Sequence, residues 1–464
     1  MEQLTRLDAA QRRNRALLED LSLRDGLPAI EAKPELAPPS ESQAEAIDFI
    51  LNNPERNVVI RGPAGTGKSH VLKHLMERVP VACTATTARA ALLVGGCTVD
   101  RVFNFKRNEW RIRSYERLTQ IMDQLPMRIA IDESSMIGSS MGTLIHGIAK
   151  QFGKQVIMFG DWAQAAPVKD GWGMDSVLFR EANSCVLREN HRQTDQLYLA
   201  ALNDLRSGQM TDRVREVFQP RCAPLDQAHE HAIIGQATNR LTYELNSRRL
   251  AAMSIDLPTA QLHSDLRDDR PEYLRKNYPR DEAECQRLLD EVRFAAGDTF
   301  KVGARVLLTM NHPLGDYVNG DAGQLVEIYL DDGKPVSEMK AASPWDPPID
   351  SDQVFSLEVR LDRTDKTVLV QRTKLEQKSP LGEPDWTARG FPIKLGWGGT
   401  LHWLQGTTLD HLWVNMQSIT HMVGDSKHGL AYVAFSRTRT LEGLQIGNWD
   451  ERAAYCAEAV RPFV

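Results

Sequence analysis

The sequence predicts an α/β protein: two lobes with parallel sheets, a small β-rich insertion and a charged helical leader. Three observations predict it. An apolar strand, Asn57 to Arg61, runs into GPAGTGKS (Gly62 to Ser69) and then into an apolar-periodic helix from His70. Strand and helix patterns alternate from Val58 to Val186, as a parallel sheet with crossover helices requires. Farther along, FKVGARVLLTMNHPLGDYVNGDAGQLVEIYL, FSLEVRLD and TVLVQRT are short apolar strands separated by Gly, Asn and Pro turns, the pattern of a small β-barrel up to about residue 391. Within that run Asn319-Gly320 predicts a hairpin turn.

A chain of 464 residues allows about three domains at roughly 150 residues each. With 42% hydrophobic and 25% charged residues the composition is that of a soluble globular protein. The first residues, MEQLTRLDAAQRRNRALLEDL, are charged throughout and lack a signal-peptide core, and no apolar run is long enough for a membrane span. The expected location is therefore cytoplasmic, with no membrane partner. The six cysteines are scattered without a CxxC pair, and His229 and His231 have no second ligand pair nearby, so neither a disulfide framework nor zinc is expected. A net charge of −6 argues against a coat of basic surface for nucleic acid. It leaves room for a local basic and aromatic groove, which is all that a stepping protein needs.

The order strand, G-x-x-x-x-G-K-[ST], helix is the context in which the match means a nucleotide site. Gly62, Gly65 and Gly67, with Pro63, Ala64 and Thr66 between them, let backbone N–H groups close around a polyphosphate at a helix start. Lys68 would reach the outer phosphates, and Ser69 would ligate Mg²⁺. The partner motif is MRIAIDESSM, an apolar strand ending at Asp132 and Glu133. Asp132 is placed to hold Mg²⁺, and Glu133 to orient and deprotonate the attacking water. ATP and Mg²⁺ are the expected ligands.

The motif order resembles superfamily 1B helicases, the group of the RecD, Dda and Pif types, over roughly residues 37 to 447. TATTARAAL (Thr84 to Leu92) resembles motif Ia, DESSM motif II, and FGDWAQAAPV (Phe159 to Val168) motif III. LRENHRQ (Leu187 to Gln193) resembles motif IV, GTLHWLQGTTLD (Gly399 to Asp410) motif V, and AYVAFSRT (Ala431 to Thr438) motif VI. The resemblance implies two RecA-like P-loop lobes with an inserted SH3-like β-barrel. It implies that Gln164 senses the γ-phosphate or the attacking water, and that Gln43 reads the adenine edge. Arg192 and Arg437 would be arginines delivered across the cleft, where a planar, permanently charged fork stabilises transferring phosphate. Gly406, in motif V, is expected beside the nucleotide.

Nucleic acid is expected near Thr86, Arg89, Trp110, His402 and Trp403. Trp110 lies in VFNFKRNEWRIRSYERL, whose cations and aromatics suit strand gripping or separation, with Phe103 and Phe105 equally suited to a core. The chain departs from the family at Asp100, Ala165 and the His402-Trp403-Leu404 step, positions that tend to touch DNA or couple the nucleotide site to it. ATPase chemistry is thus better supported by the sequence than unwinding.

The expected division is a leader over 1–36, a first lobe over 37–185 with a wedge element at about 97–125, and a second lobe from 186–250 and 391–464. A charged helical segment and the barrel fill 251–390, the charged piece Asp265 to Arg293 being read as a solvated face. The expected activity is an ATP-dependent helicase or translocase on single-stranded DNA, 5′ to 3′ by resemblance, in a bacterial or phage-infected cell. Its expected partners are single-stranded and fork DNA, with a single-strand-binding or replisome protein as a further candidate. The alternatives are an RNA-directed motor and a nucleotide-switched interaction module.

Overall fold

The structure is a computed structural model that describes residues 36–463 apart from 87–89, 92–93, 107–110, 165, 168–169, 278, 293, 313–315, 318, 339–346, 381–382 and 406. The expectations placed on the leader before residue 36 and on Arg89, Trp110, Ala165 and Gly406 lie outside the described residues.

Six strands form the first sheet: β1 (Val58–Arg61), β2 (Val81–Ala85), β3 (Cys97–Thr98), β4 (Arg128–Asp132), β5 (Gln155–Gly160) and β6 (Asn183–Val186). Their spatial order is β3-β2-β4-β5-β1-β6, and every pairing is parallel. Strands β1, β4 and β5 are apolar runs instead of alternating ones because helices cover both faces of the sheet. Helix α1 (Glu41–Leu51) packs Ala46, Ile47 and Ile50 into one face, beside Val71, Leu72 and Leu75 of helix α2 (Lys68–Arg78). The second sheet contains β7 (Ile233–Gln236), β8 (Gly398–Thr400), β9 (Leu412–Asn415) and β10 (Leu444–Gly447), in the order β8-β7-β9-β10, again all parallel. These are the two RecA-like lobes, and functional loops leave the carboxyl ends of their strands.

Between β7 and β8 lies a five-stranded antiparallel sheet ordered Thr367–Gln371, Val354–Leu361, Ala322–Leu330, Arg305–Leu308, Ile393–Leu395. Its core includes Phe300, Val306, Leu325, Leu357 and Ile393. Ile393–Leu395 pairs with Val306–Leu308, so the inserted sheet runs a few residues past 390, where the sequence ended it. Asn319-Gly320 forms a turn, with Gly320 at φ +99°, but it closes a connection of residues 309–321 and not a two-residue hairpin.

The reading of the charged stretch needs correction. Asp265–Asp268 is a strand, and the charged stretch after it is not simply a solvated face: Arg280 pairs with Asp385 and Asp268, and Glu284 pairs with Arg113 at 3.2 Å. With Arg101–Asp385 and Arg117–Glu383, these pairs tie the 97–125 element of the first lobe to the insertion. Within that element Phe103 and Phe105 are core residues, fully buried beside Val99, Val102 and Leu118, so neither is free to stack a base.

Candidate active site

The P-loop connects β1 to α2 at the carboxyl edge of the first sheet. Gly65 (φ +88°) and Gly67 (φ +76°) adopt left-handed conformations that side chains resist. A Cβ on Gly67 would also stand 2.4 Å from Gln43 Nε2. Lys68 Nζ donates to the carbonyls of Gly62 (2.8 Å) and Pro63 (3.0 Å), lying back along the loop it closes. Burial lowers its pKa, against the upward pull of Asp161, Glu133 and Asp132.

Ser69 Oγ donates to Asp132 Oδ2 at 2.9 Å, bringing a hydroxyl and a carboxylate together at the head of α2. Asp132 Oδ1 accepts the Glu133 N–H at 2.9 Å. Glu133 itself sits at φ +50°, a conformation uncommon outside glycine and of the kind that clusters at functional sites. Its Oε2 is buried with no hydrogen-bond partner among the described residues. Burial and then Asp132 raise the pKa of this carboxyl, while Lys68 and Arg437 lower it. A buried, unpartnered carboxylate oxygen with raised basicity has the properties of a group that takes a proton from water.

The second lobe faces this edge with two guanidinium groups. Arg437, 1% exposed, donates through Nε to Val433 O (2.7 Å), through Nη2 to Ser436 Oγ (2.6 Å) and through Nη1 to Thr407 O (3.4 Å). Arg192 Nη1 donates to Ser436 O at 3.2 Å, and a Cβ on Gly65 would lie 2.8 Å from Arg192 Cβ. Among the described residues neither arginine forms an ion pair with a carboxylate. Burial, with neighbouring Arg192 adding to it, pushes the Arg437 pKa down to about 9, so the group is still charged at neutral pH. Two neighbouring cations held, among the described residues, by carbonyls and a hydroxyl without a countercharge, across from the lysine of a P-loop, are suited to meet an anion. Lys68, Ser69, Asp132, Glu133, Arg192 and Arg437 therefore meet in one interlobe cleft. Gln164 joins them there: it is 5% exposed and donates through Nε2 to Asp161 Oδ2 at 3.2 Å.

Four further residues named by the sequence are buried or half-buried. The Gln43 amide is engaged at both ends, accepting the Ser40 N–H at 3.0 Å and donating to Thr66 O at 3.1 Å. It caps α1 and braces the P-loop, instead of presenting a free edge to adenine. Thr86 is turned inward, 8% exposed, with its hydroxyl on the Glu133 carbonyl at 3.1 Å, and so links motif Ia to the carboxylate pair. His402 and Trp403 are half-buried. Trp403 packs against the core of the second lobe, and burial lowers the His402 pKa. Asn190, which no motif singles out, also contributes. It donates to Ala64 O at 2.8 Å and accepts the Arg192 N–H at 2.8 Å, fixing that arginine against the P-loop. The Asn of NHRQ was the available signal, since Asn readily bonds a backbone N–H two residues on.

The fold and the site define a two-lobed P-loop nucleotide-binding protein whose lobes meet at one site. Residues 38–219 match the AAA domain family. The chain is 26% identical over 437 residues to the ATP-dependent DNA helicase Pif1 of Bdellovibrio bacteriovorus, covering 89% of each protein. It is 26% identical to the human ATP-dependent DNA helicase PIF1 over 93% of this chain, but spans only 64% of that longer protein. Among solved structures, Pif1 helicase from Candida albicans matches with a TM-score of 0.66 at 24% identity, covering 91% of this chain and 98% of that one. Bacteroides sp Pif1 in complex with ADP-AlF4 matches with a TM-score of 0.69 at 22% identity, covering 92% and 96%. The resemblance to superfamily 1B helicases thus holds along nearly the whole chain, and the likeness is to the Pif1 type.

Proposed function

We propose that this chain is an ATP-dependent DNA helicase that moves 5′ to 3′ on single-stranded DNA and unwinds duplex in replication, recombination or repair. The observation that carries the reading is the meeting of the P-loop and carboxylate pair of one lobe with Arg192 and Arg437 of the other. A site divided between two lobes makes hydrolysis depend on their approach, which is how a chemical cycle becomes a movement. Mg²⁺ would be held by Ser69 Oγ and Asp132 Oδ2, hard oxygen donors, and would supply positive charge facing the outer phosphates. Lys68 turns from its two carbonyls to the phosphates, Glu133 Oε2 takes the proton of the attacking water, and Gln164 orients that water. Arg192 and Arg437 neutralise charge on the transferring group.

Bacteroides Pif1 has been solved bound to single-stranded DNA, and that likeness supports DNA as the track. Arg89, Trp110, His402 and Trp403 are the proposed contacts, and fork DNA and a single-strand-binding or replisome protein are the proposed partners. The expected domain limits, with the insertion extended through Leu395, the SH3-like character of the insertion and a cytoplasmic, nucleoid-associated location are part of the same proposal.

Strand displacement on duplexes with a 5′ or a 3′ single-stranded tail tests the reading. ATP-dependent displacement from the 5′ tail alone is expected. Displacement from the 3′ tail overturns the polarity, and none from either, in a protein that hydrolyses ATP, overturns the helicase activity. Trp403→Ala is expected to lower the melting temperature, because the ring packs on the lobe core. In the folded protein it is expected to weaken single-strand binding without changing the salt slope, because stacking releases no counterions. Unaltered affinity in the folded variant would rule out the stacking contact.

A further inference from the structure

Asp161, the aspartate of FGDW just beyond β5, is fully buried at the lobe interface, and no step above uses it. Its Oδ1 accepts Nε (3.1 Å) and Nη2 (2.9 Å) of Arg206, the last residue of helix Gln196–Arg206. Its Oδ2 accepts the Tyr432 hydroxyl at 3.0 Å beside Gln164 Nε2. The same hydroxyl oxygen accepts the N–H of Ala64 in the P-loop at 2.8 Å. One phenol thus bridges the phosphate loop and a buried carboxylate. Arg206 and Lys68 hold that carboxyl below the usual range against the upward push of burial.

The neighbouring contacts are made by the same segment. His428 Nδ1 accepts the Ala457 N–H at 2.9 Å, which assigns the proton to Nε2, and Nε2 donates to the Trp162 carbonyl at 2.8 Å. Gly429, at φ +68°, lies so close to motif III that a Cβ would stand 2.0 Å from the Ala163 carbonyl oxygen. Residues 161–163 are therefore grasped in turn by Tyr432, His428 and Gly429. The last two residues before, and the first turn of, helix Leu430–Phe435 make this grip, and Arg437 stands two residues beyond that helix with its Nε on the Val433 carbonyl.

We infer that Tyr432 is a positioning residue for hydrolysis: held by Asp161 and, through it, by Arg206, it ties the Ala64 amide of the P-loop to the helix that leads into Arg437, and so sets where that guanidinium stands. Apolar packing could hold this helix against motif III yet leave its rotation loose. Directional bonds to a buried carboxylate and a P-loop amide fix the rotation. Tyr432→Phe keeps the ring and its packing while leaving the Ala64 N–H and one Asp161 lone pair unmet.

The test is a double-mutant cycle in ATP turnover. Tyr432→Phe is expected to lower kcat on the order of 10²-fold, the cost of misplacing a reacting group by about 1 Å, with KM for ATP nearly unchanged. Placed on Arg437→Ala, the same change is expected to cost less than about twofold more, because the residue it positions is gone. Losses that multiply, or a rise in KM with kcat intact, overturn the positioning role. If Tyr432→Phe melts below the assay temperature, Arg206→Lys goes through the same cycle with the same expectation, since it keeps the charge and loses the fork. The inference rests on the ATPase reading, and the two fail separately. A wild-type protein without ATP turnover contradicts both, whereas normal wild-type turnover with multiplicative losses overturns this inference alone.

Discussion

Lys68→Ala is expected to abolish ATP turnover, the largest loss any single substitution should produce here. In the structure the ammonium group is held by two P-loop carbonyls at 2.8 and 3.0 Å, close to Asp161, Glu133 and Asp132. Alanine removes the one charged side chain of GPAGTGKS, the one that meets the outer phosphates. The carbonyls it leaves belong to a loop braced independently by Gln43, Asn190 and Tyr432, so the fold should survive. Circular dichroism and nucleotide binding on the same sample check this, and near-normal turnover in a folded variant would remove the phosphate-loop assignment. Glu133→Gln separates binding from chemistry. The Ser69–Asp132 pair stays, so ATP should bind while hydrolysis stalls for want of a base. If the glutamine variant lost ATP binding as the lysine variant does, the roles of the two carboxylates would be wrong.

Arg437→Ala is expected to slow hydrolysis on the order of 10³-fold, as loss of an arginine finger does elsewhere, with a much smaller fall in ATP affinity. Hydrogen bonds donated to three acceptors fix the guanidinium in a buried setting beside Arg192, so it reaches the cleft pre-aimed. Pre-aiming is what makes a charge effective in a transition state and nearly silent in binding. Arg192→Ala should act in the same direction. Single-turnover kinetics beside equilibrium nucleotide binding separates the two quantities. Equal losses in both would mean that these arginines bind ground-state ATP and do no more.

Much of this site is written locally, which is why sequence could find it. VVIRGPAGTGKS and RIAIDE each carry strand, turn and reactive group within twelve residues, and the parallel sheet places both at one edge. What escaped depends on distant partners. Tyr432 and Asp161 are 271 residues apart, and no period or motif joins a phenol in one lobe to a carboxylate in the other. Gln43 looked free because a capping box and a bond to Thr66 are properties of the folded helix start. Thr86 looked exposed because only the sheet order shows that β2 lies beside β4 and aims its next residue at Glu133. The charged stretch after Asp265 looks like a wet surface in sequence because its countercharges lie far along the chain, Arg113 in the first lobe and Asp385 in a later strand of the insertion.

The central claim is that hydrolysis at this cleft is coupled to single-stranded DNA. Steady-state ATP turnover measured with single-stranded DNA, with single-stranded RNA and with neither tests it most directly. Slow turnover alone and a large stimulation by DNA are expected, with the stimulation lost in Arg437→Ala. Stimulation greater with RNA would redirect the motor to a different track, and turnover indifferent to both polymers would contradict the coupling.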